Sequence, residues 1–186
     1  MMYRALHRRI LLGFLAVCLA WLPLQAVQAA VVLDSVSTTT TDSNSFNFAH
    51  TIGTGSDSYL LVGVSMRQGG GAEVLNLSWT PSGGASEALT RIASQVANGN
   101  TKVEIWGLAG PGSGSGTVDG NSVGPTPDAV LSAMSFFGVE QTAPSALDFF
   151  SRTGESAAPT VPVCPASPVC SVETDDFAVS VITTRG

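Results

Sequence analysis

The sequence predicts an all-β protein, an antiparallel β-sandwich of the jelly-roll or immunoglobulin-like kind. Short runs of β-branched and aromatic residues recur along the chain, and several of them alternate apolar with polar residues. Clusters of Gly, Ser, Asn and Pro separate these runs. Many short strands joined by such turns are typical of antiparallel sandwiches. Helical periodicity is nearly absent, and only residues 85–97 are compatible with a short helix.

The first 29 residues have the layout of a secretory signal peptide. Three arginines and no acidic residue precede an apolar run of about fifteen residues, and small residues surround Ala29. Such a run is shorter than the roughly twenty residues that span a bilayer. We therefore predict a signal peptide at residues 1–29 and a single β-sandwich domain at residues 30–186. The mature protein is expected to be secreted or at the cell surface, with the periplasm as an alternative, and without a membrane span.

Removal of this leader would make the chain more acidic. It leaves five basic and fourteen acidic side chains, so the net charge changes from −6 to −9. Charged residues make up 12% of the whole chain, about half of the usual 25%. An acidic, lysine-poor chain has no electrostatic attraction for nucleic acid. Nucleic acid is therefore excluded as a partner, and no pattern in the sequence predicts a cofactor.

Eight segments are predicted to form strands. In one of them Phe46 and Phe48 share a face, and in another Leu75, Leu77 and Trp79 are expected to face the core together. The nearly continuous apolar run at residues 59–66 predicts a central strand. In chain order the predicted strands are residues 31–36, 46–52, 59–66, 74–80, 89–93, 102–108, 129–139 and 177–183.

Three of these segments carry a family resemblance. They are residues 50–65 (HTIGTGSDSYLLVGVS), 103–108 (VEIWGL) and 135–139 (SFFGV). Together they resemble a poorly characterised group of exported bacterial β-sandwich domains, over roughly residues 45–140. The resemblance implies a jelly-roll or immunoglobulin-like sandwich in an extracellular protein and brings no functional residues with it.

The resemblance also implies that the chain is incomplete at its C-terminus. The group continues with further strands beyond the one at residues 177–183, whereas this chain stops at Gly186. A sandwich without its last strands has an unpaired edge, which promotes aggregation. We therefore expect a truncated reading frame or a fragment, a hypothesis that sequencing past the last codon tests.

A serine-hydrolase motif is present, but its surroundings do not fit. Residues 120–124 match G-x-S-x-G around Ser122, and that motif works only as a strand–turn–helix elbow. Two prolines follow instead of a helix, and His50, the only histidine after the leader, precedes the serine. The Gly/Ser-rich residues 110–116 lack the Lys-Ser/Thr of a phosphate loop and predict a flexible hairpin loop. We predict no catalytic residue and no enzymatic activity.

Two cysteines remain after the leader, Cys164 and Cys170. Because exported proteins meet an oxidising compartment, a disulfide between them is expected. It would close a loop in the Pro/Ala-rich stretch near residues 154–171. No further cysteine or nearby histidine completes a zinc site.

Acidic side chains, with one amide among them, occur in two places that are far apart in sequence. A calcium site and a solvated acidic surface both fit them, and the absence of a twelve-residue calcium loop favours the surface. No metal site is therefore predicted. The residues are Asp42 and Asn44 near one end, and Glu173, Asp175 and Asp176 near the other.

Trp106 is the one candidate binding residue. It lies on the same side of its strand as Lys102, Glu104 and Leu108. A flat indole ring can stack on a sugar, although burial is the usual outcome for Trp. The leading hypothesis is a non-catalytic structural or interaction module. The alternatives are a carbohydrate-binding, lectin-like sandwich and a secreted hydrolase, and the expected partners are a glycan or another surface protein.

Overall fold

Two antiparallel β-sheets pack face to face in the computed structural model, which describes residues 30–67, 72–97, 101–124 and 128–141. The five-stranded sheet has the order β1-β9-β3-β7-β6, and the four-stranded sheet has the order β2-β8-β4-β5. The predicted all-β antiparallel sandwich is thus confirmed. The strands are β1 (Val32–Thr41), β2 (Ser45–Ile52), β3 (Tyr59–Arg67), β4 (Glu73–Pro81), β5 (Glu87–Ala88), β6 (Thr90–Ala97), β7 (Thr101–Ala109), β8 (Gly114–Val123) and β9 (Asp128–Phe137).

The core lies between the two sheets and is built mainly from alternate residues of the inner strands. In β2 the inward positions Phe46, Phe48, His50 and Ile52 are buried, while the residues that alternate with them are exposed. β3 pairs with β7 on one side and β9 on the other, which confirms the predicted central strand. Its inward residues are Leu60, Val62, Val64 and Met66.

β4 departs from simple alternation. Its pairing with β8 shifts register between Val74 and Asn76, so one extra residue is inserted there. Leu75 is turned outward and is 55% exposed, while Val74, Leu77 and Trp79 are buried. The prediction that Leu75 shares a face with Leu77 and Trp79 is therefore wrong, because the bulge changes the phase of the strand.

Two other sequence predictions differ from the structure. Residues 85–97 hold β5 and β6 rather than a helix, because pairing of β6 with β7 outweighs a weak helical pattern. The predicted loop at residues 110–116 ends at residue 113, and the unpredicted strand β8 begins at Gly114. Gly120 is needed in that strand, since a side chain there would overlap Phe46 and Leu77. Glycine weakens a strand pattern in the sequence, which hid β8.

Several sequence predictions fall outside the described residues. They are the signal peptide, the Cys164–Cys170 disulfide and its loop, the strand at residues 177–183, and the acidic residues Glu173, Asp175 and Asp176.

Candidate functional site

Trp106 lies on the inner face of β7. It belongs to the hydrophobic core and is only 6% exposed. Its indole Nε1 donates a hydrogen bond to Oε2 of Glu104 at 2.9 Å. The guanidinium carbon of Arg91 lies 5.8 Å from the ring centroid, within cation–π range. A ligand-binding role for Trp106 stays a prediction, and stacking on a sugar would require Arg91 to leave the ring.

Arg91 and Glu104, which contact Trp106, form ion pairs with Glu73 and Lys102, and we call these four side chains the charge cluster. Lys102 Nζ lies 2.8 Å from Glu104 Oε1 and 3.6 Å from Glu73 Oε1. Arg91 donates a hydrogen bond to Glu73, and its Nη1 lies 3.7 Å from Glu104 Oε1. The cluster joins three strands and carries two positive and two negative charges, so its formal charge is zero.

The sheet topology explains why charges are tolerated at this position. β6 is an edge strand, and the opposite sheet ends nearby in β5, which has only two residues. The Arg91 and Glu73 side chains are therefore 39% and 42% exposed, whereas Glu104 is fully buried. The Arg91 hydrogen bond, together with the charges of Lys102 and Arg91, lowers the pKa of Glu73. The same hydrogen bond raises the pKa of Arg91.

The cluster brings two carboxylates together, as glycoside hydrolysis requires. A general acid in such a pair needs a raised pKa so that it holds a proton near neutral pH. Glu73 instead has a lowered pKa, and Glu104 is buried beneath Lys102, Arg91 and Trp106. The two cations occupy the positions around the carboxylates, so the arrangement favours a structural ion-pair network over acid–base catalysis.

His50 lies on the opposite side of the core, where its side chain extends from β2 to β1. Its Nδ1 lies 2.9 Å from the Ser37 hydroxyl, and its ring meets Trp79 edge-on at 6.0 Å. Nε2 is buried and has no hydrogen-bond partner among the described residues. Burial lowers the pKa of His50, although the nearby Asp34 carboxylate opposes that shift. The histidine is therefore neutral at physiological pH.

Asp34 occupies the irregular part of β1, where its pairing with β9 shifts register. Its Oδ2 accepts hydrogen bonds from the Gly53 backbone N–H at 2.9 Å and from the Ser135 hydroxyl at 2.7 Å. These contacts tie β1 to β9 and to the residue that follows β2. The carboxylate is thereby engaged in holding the fold.

Ser122 is buried within β8 and is not placed for nucleophilic attack. Its hydroxyl donates to Asn44 Oδ1 at 3.3 Å. His50 pairs with Gly116, six residues earlier on the same strand, which corresponds to about 20 Å of extended chain. Ser122 and His50 therefore do not form a catalytic pair, and the strand–turn–helix elbow is not present in the described residues.

In the Gly/Ser loop before β8, the backbone groups of Gly112 are hydrogen-bonded to side chains of the protein itself. The Gly112 backbone N–H lies 3.1 and 3.2 Å from the two carboxylate oxygens of Glu87. The Gly112 carbonyl accepts a hydrogen bond from Trp79 Nε1 at 2.8 Å. These contacts hold the loop against β5 and the core.

The outer face of the four-stranded sheet gathers polar side chains, which sequence reasoning missed because strand pairing decides which residues share a face. It presents amide, hydroxyl and carboxylate groups beside the exposed Leu75 and Val123, and we call this surface the polar face. Asn47 and Thr117 both donate to Asp119 there. The polar face comprises Asn47, Thr51, Asn76, Ser115, Thr117, Asp119 and Asn121.

No group of three His, Cys, Asp or Glu residues in the described part of the chain is arranged to hold a metal ion. Nor do residues 30–67, 72–97, 101–124 and 128–141 contain a helix with the length and apolar character needed to cross a membrane. Comparison with known protein families, curated proteins and solved structures gives no match.

Proposed function

We propose that this chain is a secreted or cell-surface, non-catalytic structural or interaction module of the exported bacterial β-sandwich kind. One observation carries the proposal: among the described residues, the histidine, the motif serine and the Glu104 carboxylate are buried and contact a neighbour. His50 lies against Ser37, Ser122 donates to Asn44, and Glu104 is held by Lys102 and Trp106. Residues used in this way build a scaffold, and its outer faces are left for contact with other molecules.

Export is tested by N-terminal sequencing of protein recovered from a bacterial host that secretes it. The proposal expects the mature chain to begin at Ala30. Mass spectrometry without reduction then tests the expected disulfide between Cys164 and Cys170. Cytoplasmic retention of the full chain contradicts export, and two free thiols in the exported protein contradict the disulfide.

Absence of catalysis is tested by assaying the exported protein with panels of ester and glycoside substrates. No turnover above the buffer rate is expected. Two variants test whether any turnover depends on a candidate residue. Ser122→Ala removes the motif serine, and Glu104→Gln removes the buried carboxylate. Any turnover that one of these variants abolishes, while its fold is retained by circular dichroism, contradicts the proposal.

Carbohydrate binding is the second candidate function, and the polar face favours it. Amides, hydroxyls and a carboxylate are the groups that hydrogen-bond sugar hydroxyls. On this view the polar face, rather than the buried Trp106, meets the glycan. Binding to a glycan array is expected to be lost in Asn47→Ala with Asp119→Asn and retained in Trp106→Phe. Loss of binding in Trp106→Phe and retention in the double variant would instead place the glycan site at the Trp106 indole.

A further inference from the structure

β2 is the outermost strand of the four-stranded sheet, and one of its two sides has no partner in the described part of the chain. It pairs with β8 in an uninterrupted register from Ser45 to Ile52, and no other described strand pairs with it. A strand at the border of a sheet presents a row of backbone N–H and C=O groups that can bond to another strand. We call the side of β2 that faces away from β8 the open edge.

The hydrogen-bonding phase of β2 shows which groups line the open edge. In an antiparallel pair, residues that exchange backbone hydrogen bonds alternate with residues that do not. The Ser122 N–H donates to the Asn44 carbonyl at 2.8 Å, just before β2 begins. This contact puts the buried residues of β2 in hydrogen-bonded pairs with β8. The backbone groups of the residues between them point to the open edge, and these exposed residues include Asn47, Ala49 and Thr51.

The other three edge strands of the described sandwich carry features that oppose strand addition. β1 is interrupted by a bulge at Asp34, and β6 is interrupted by a bulge beside Arg91. β5 has only two residues. Bulges, charged residues and short strands are the features by which natural sheets prevent edge-to-edge pairing. β2 has none of them, because it is eight residues long, regular in register and, with His50 neutral, uncharged.

A second copy of β2 matches the open edge. When two copies run antiparallel about a two-fold axis at Phe48, Asn47 of each copy lies opposite Ala49 of the other. Ser45 then lies opposite Thr51. In this register the outward-pointing backbone groups of one copy meet those of the other, so both copies use the same surface, as a two-fold symmetric dimer requires. Strand addition of this kind derives its affinity from main-chain hydrogen bonds.

Charge does not oppose this pairing, although the chain as a whole has a net charge of −6. The carboxylate of the polar face belongs to Asp119, which lies one strand inward and accepts a hydrogen bond from Asn47. Three strand spacings of about 4.8 Å, or about 14 Å in all, separate the Asp119 residues of two paired copies. That distance exceeds the screening length of about 8 Å at physiological salt. The open edge itself has no charge that would select a basic or an acidic partner.

We propose that two copies of this chain associate through β2, so that their four-stranded sheets form one continuous antiparallel sheet. This names a partner for the molecule, which the proposed structural or interaction role leaves open. The pairing requires neither export nor the absence of catalysis. Its failure would therefore leave the proposed non-catalytic role intact.

Ala49→Pro tests the pairing because proline lacks the N–H that points to the open edge. The hydrogen bonds between β2 and β8 are kept, and proline is tolerated on an edge strand whose N–H faces solvent. Ala49→Val is the matched control, since valine is similar in size and keeps the N–H. Sedimentation equilibrium of the full-length protein, from about 5 to about 500 μM, measures the association.

The parent and Ala49→Val are expected to reach the mass of two chains. Ala49→Pro is expected to associate at least about tenfold more weakly, because each dimer loses two hydrogen bonds. Circular dichroism checks that the variants are folded. A parent that stays a single chain at the highest concentration overturns the proposal, and so does a folded Ala49→Pro variant that associates like the control.

Amide hydrogen exchange in the unaltered protein gives a second measurement that does not depend on the folding of any variant. The amides of Phe48 and His50 bond to β8 and serve as references, whereas those of Asn47, Ala49 and Thr51 line the open edge. The three edge amides are expected to exchange at least about tenfold more slowly in the two-chain species than in the single chain, with the references slow in both. Fast edge exchange in the two-chain species overturns the proposal. Protection in the single chain does so too, because it would place another segment of the same chain on β2.

Discussion

The two sides of the core handle buried polar groups in different ways. On the β1–β2 side, His50 is neutral, touches Ser37, and leaves one ring nitrogen unpartnered among the described residues. On the β6–β7 side, Glu104 accepts a hydrogen bond from the Trp106 indole at Oε2, while its Oε1 has no hydrogen bond among the described residues and lies at ion-pair distance from two cations. Desolvation sets the protonation of the first group, whereas ion pairs and a hydrogen bond surround the second.

This difference shows how a chain with few charges places them. Burying a lone charge is expensive, so a group either loses its charge or brings partners. His50 can become neutral near physiological pH because its ordinary pKa is 6.5. Glu104 and Lys102 instead pair with each other, and the open edge beside β5 lets Arg91 and Glu73 reach solvent. Four predictions test this contrast, beginning with the largest effect.

Removing the buried carboxylate is expected to give the largest loss of stability. Glu104→Ala leaves Lys102 inside the sandwich without its closest partner, and breaking a buried pair in this way costs about 3–5 kcal/mol. Urea unfolding followed by tryptophan fluorescence measures the change. The double variant Glu104→Leu with Lys102→Met is expected to recover most of the loss, since it removes both charges. Equal instability of the single and double variants would show that packing, not the unpaired charge, is responsible.

The fold class could be predicted because the alternation that specifies it is local. Phe46, Phe48 and Ile52 show the inward face of β2 directly in the sequence. The outward position of Leu75 and the strand β8 could not be predicted. The bulge that turns Leu75 outward arises from the pairing of β4 with β8. Gly120 in β8 leaves room for Phe46 and Leu77, which come from the neighbouring strands. Only part of the charge cluster could be predicted from the sequence. Alternation along β7 puts Lys102, Glu104 and Trp106 together, but Glu73 and Arg91 come from β4 and β6, and only sheet packing brings them to Glu104.

A matched pair of tryptophan substitutions compares the two sides under the same chemical change. Trp106→Phe removes a hydrogen bond to the Glu104 carboxylate, and Trp79→Phe removes one to the Gly112 carbonyl. Bonds to charged groups contribute about 1.5–3 kcal/mol and neutral ones about 1 kcal/mol. Trp106→Phe is therefore expected to be more destabilising by about 1 kcal/mol in urea unfolding. A larger loss from Trp79→Phe would reverse this ranking of the two sides.

The His50 side is expected to respond to pH. Burial holds the pKa of folded His50 below its ordinary value of 6.5, so protons bind preferentially to the unfolded chain. Its contribution to stability is complete above pH 6.5 and is lost as the pH falls through the lower pKa of the folded state. Urea midpoints measured from pH 8 to pH 5 are expected to fall in the parent protein and to stay flatter in His50→Gln. Parallel curves for the two proteins would assign the acid sensitivity to other groups.

The smallest effect is expected at the exposed part of the charge cluster. Glu73→Gln removes the partner of Arg91, but that pair is open to water, where ion pairs contribute less than about 1 kcal/mol. Its contribution is also screened by salt. The difference in unfolding free energy between parent and variant is therefore expected to shrink further between 0.05 and 1 M sodium chloride, about a fourfold change in screening length. Glu104→Ala is expected to keep most of its effect at high salt, because its partner is buried. If Glu73→Gln lowers the unfolding free energy as much as Glu104→Ala does, the four charges act as one unit. The exposed and buried charges of the cluster would then not contribute separately to stability.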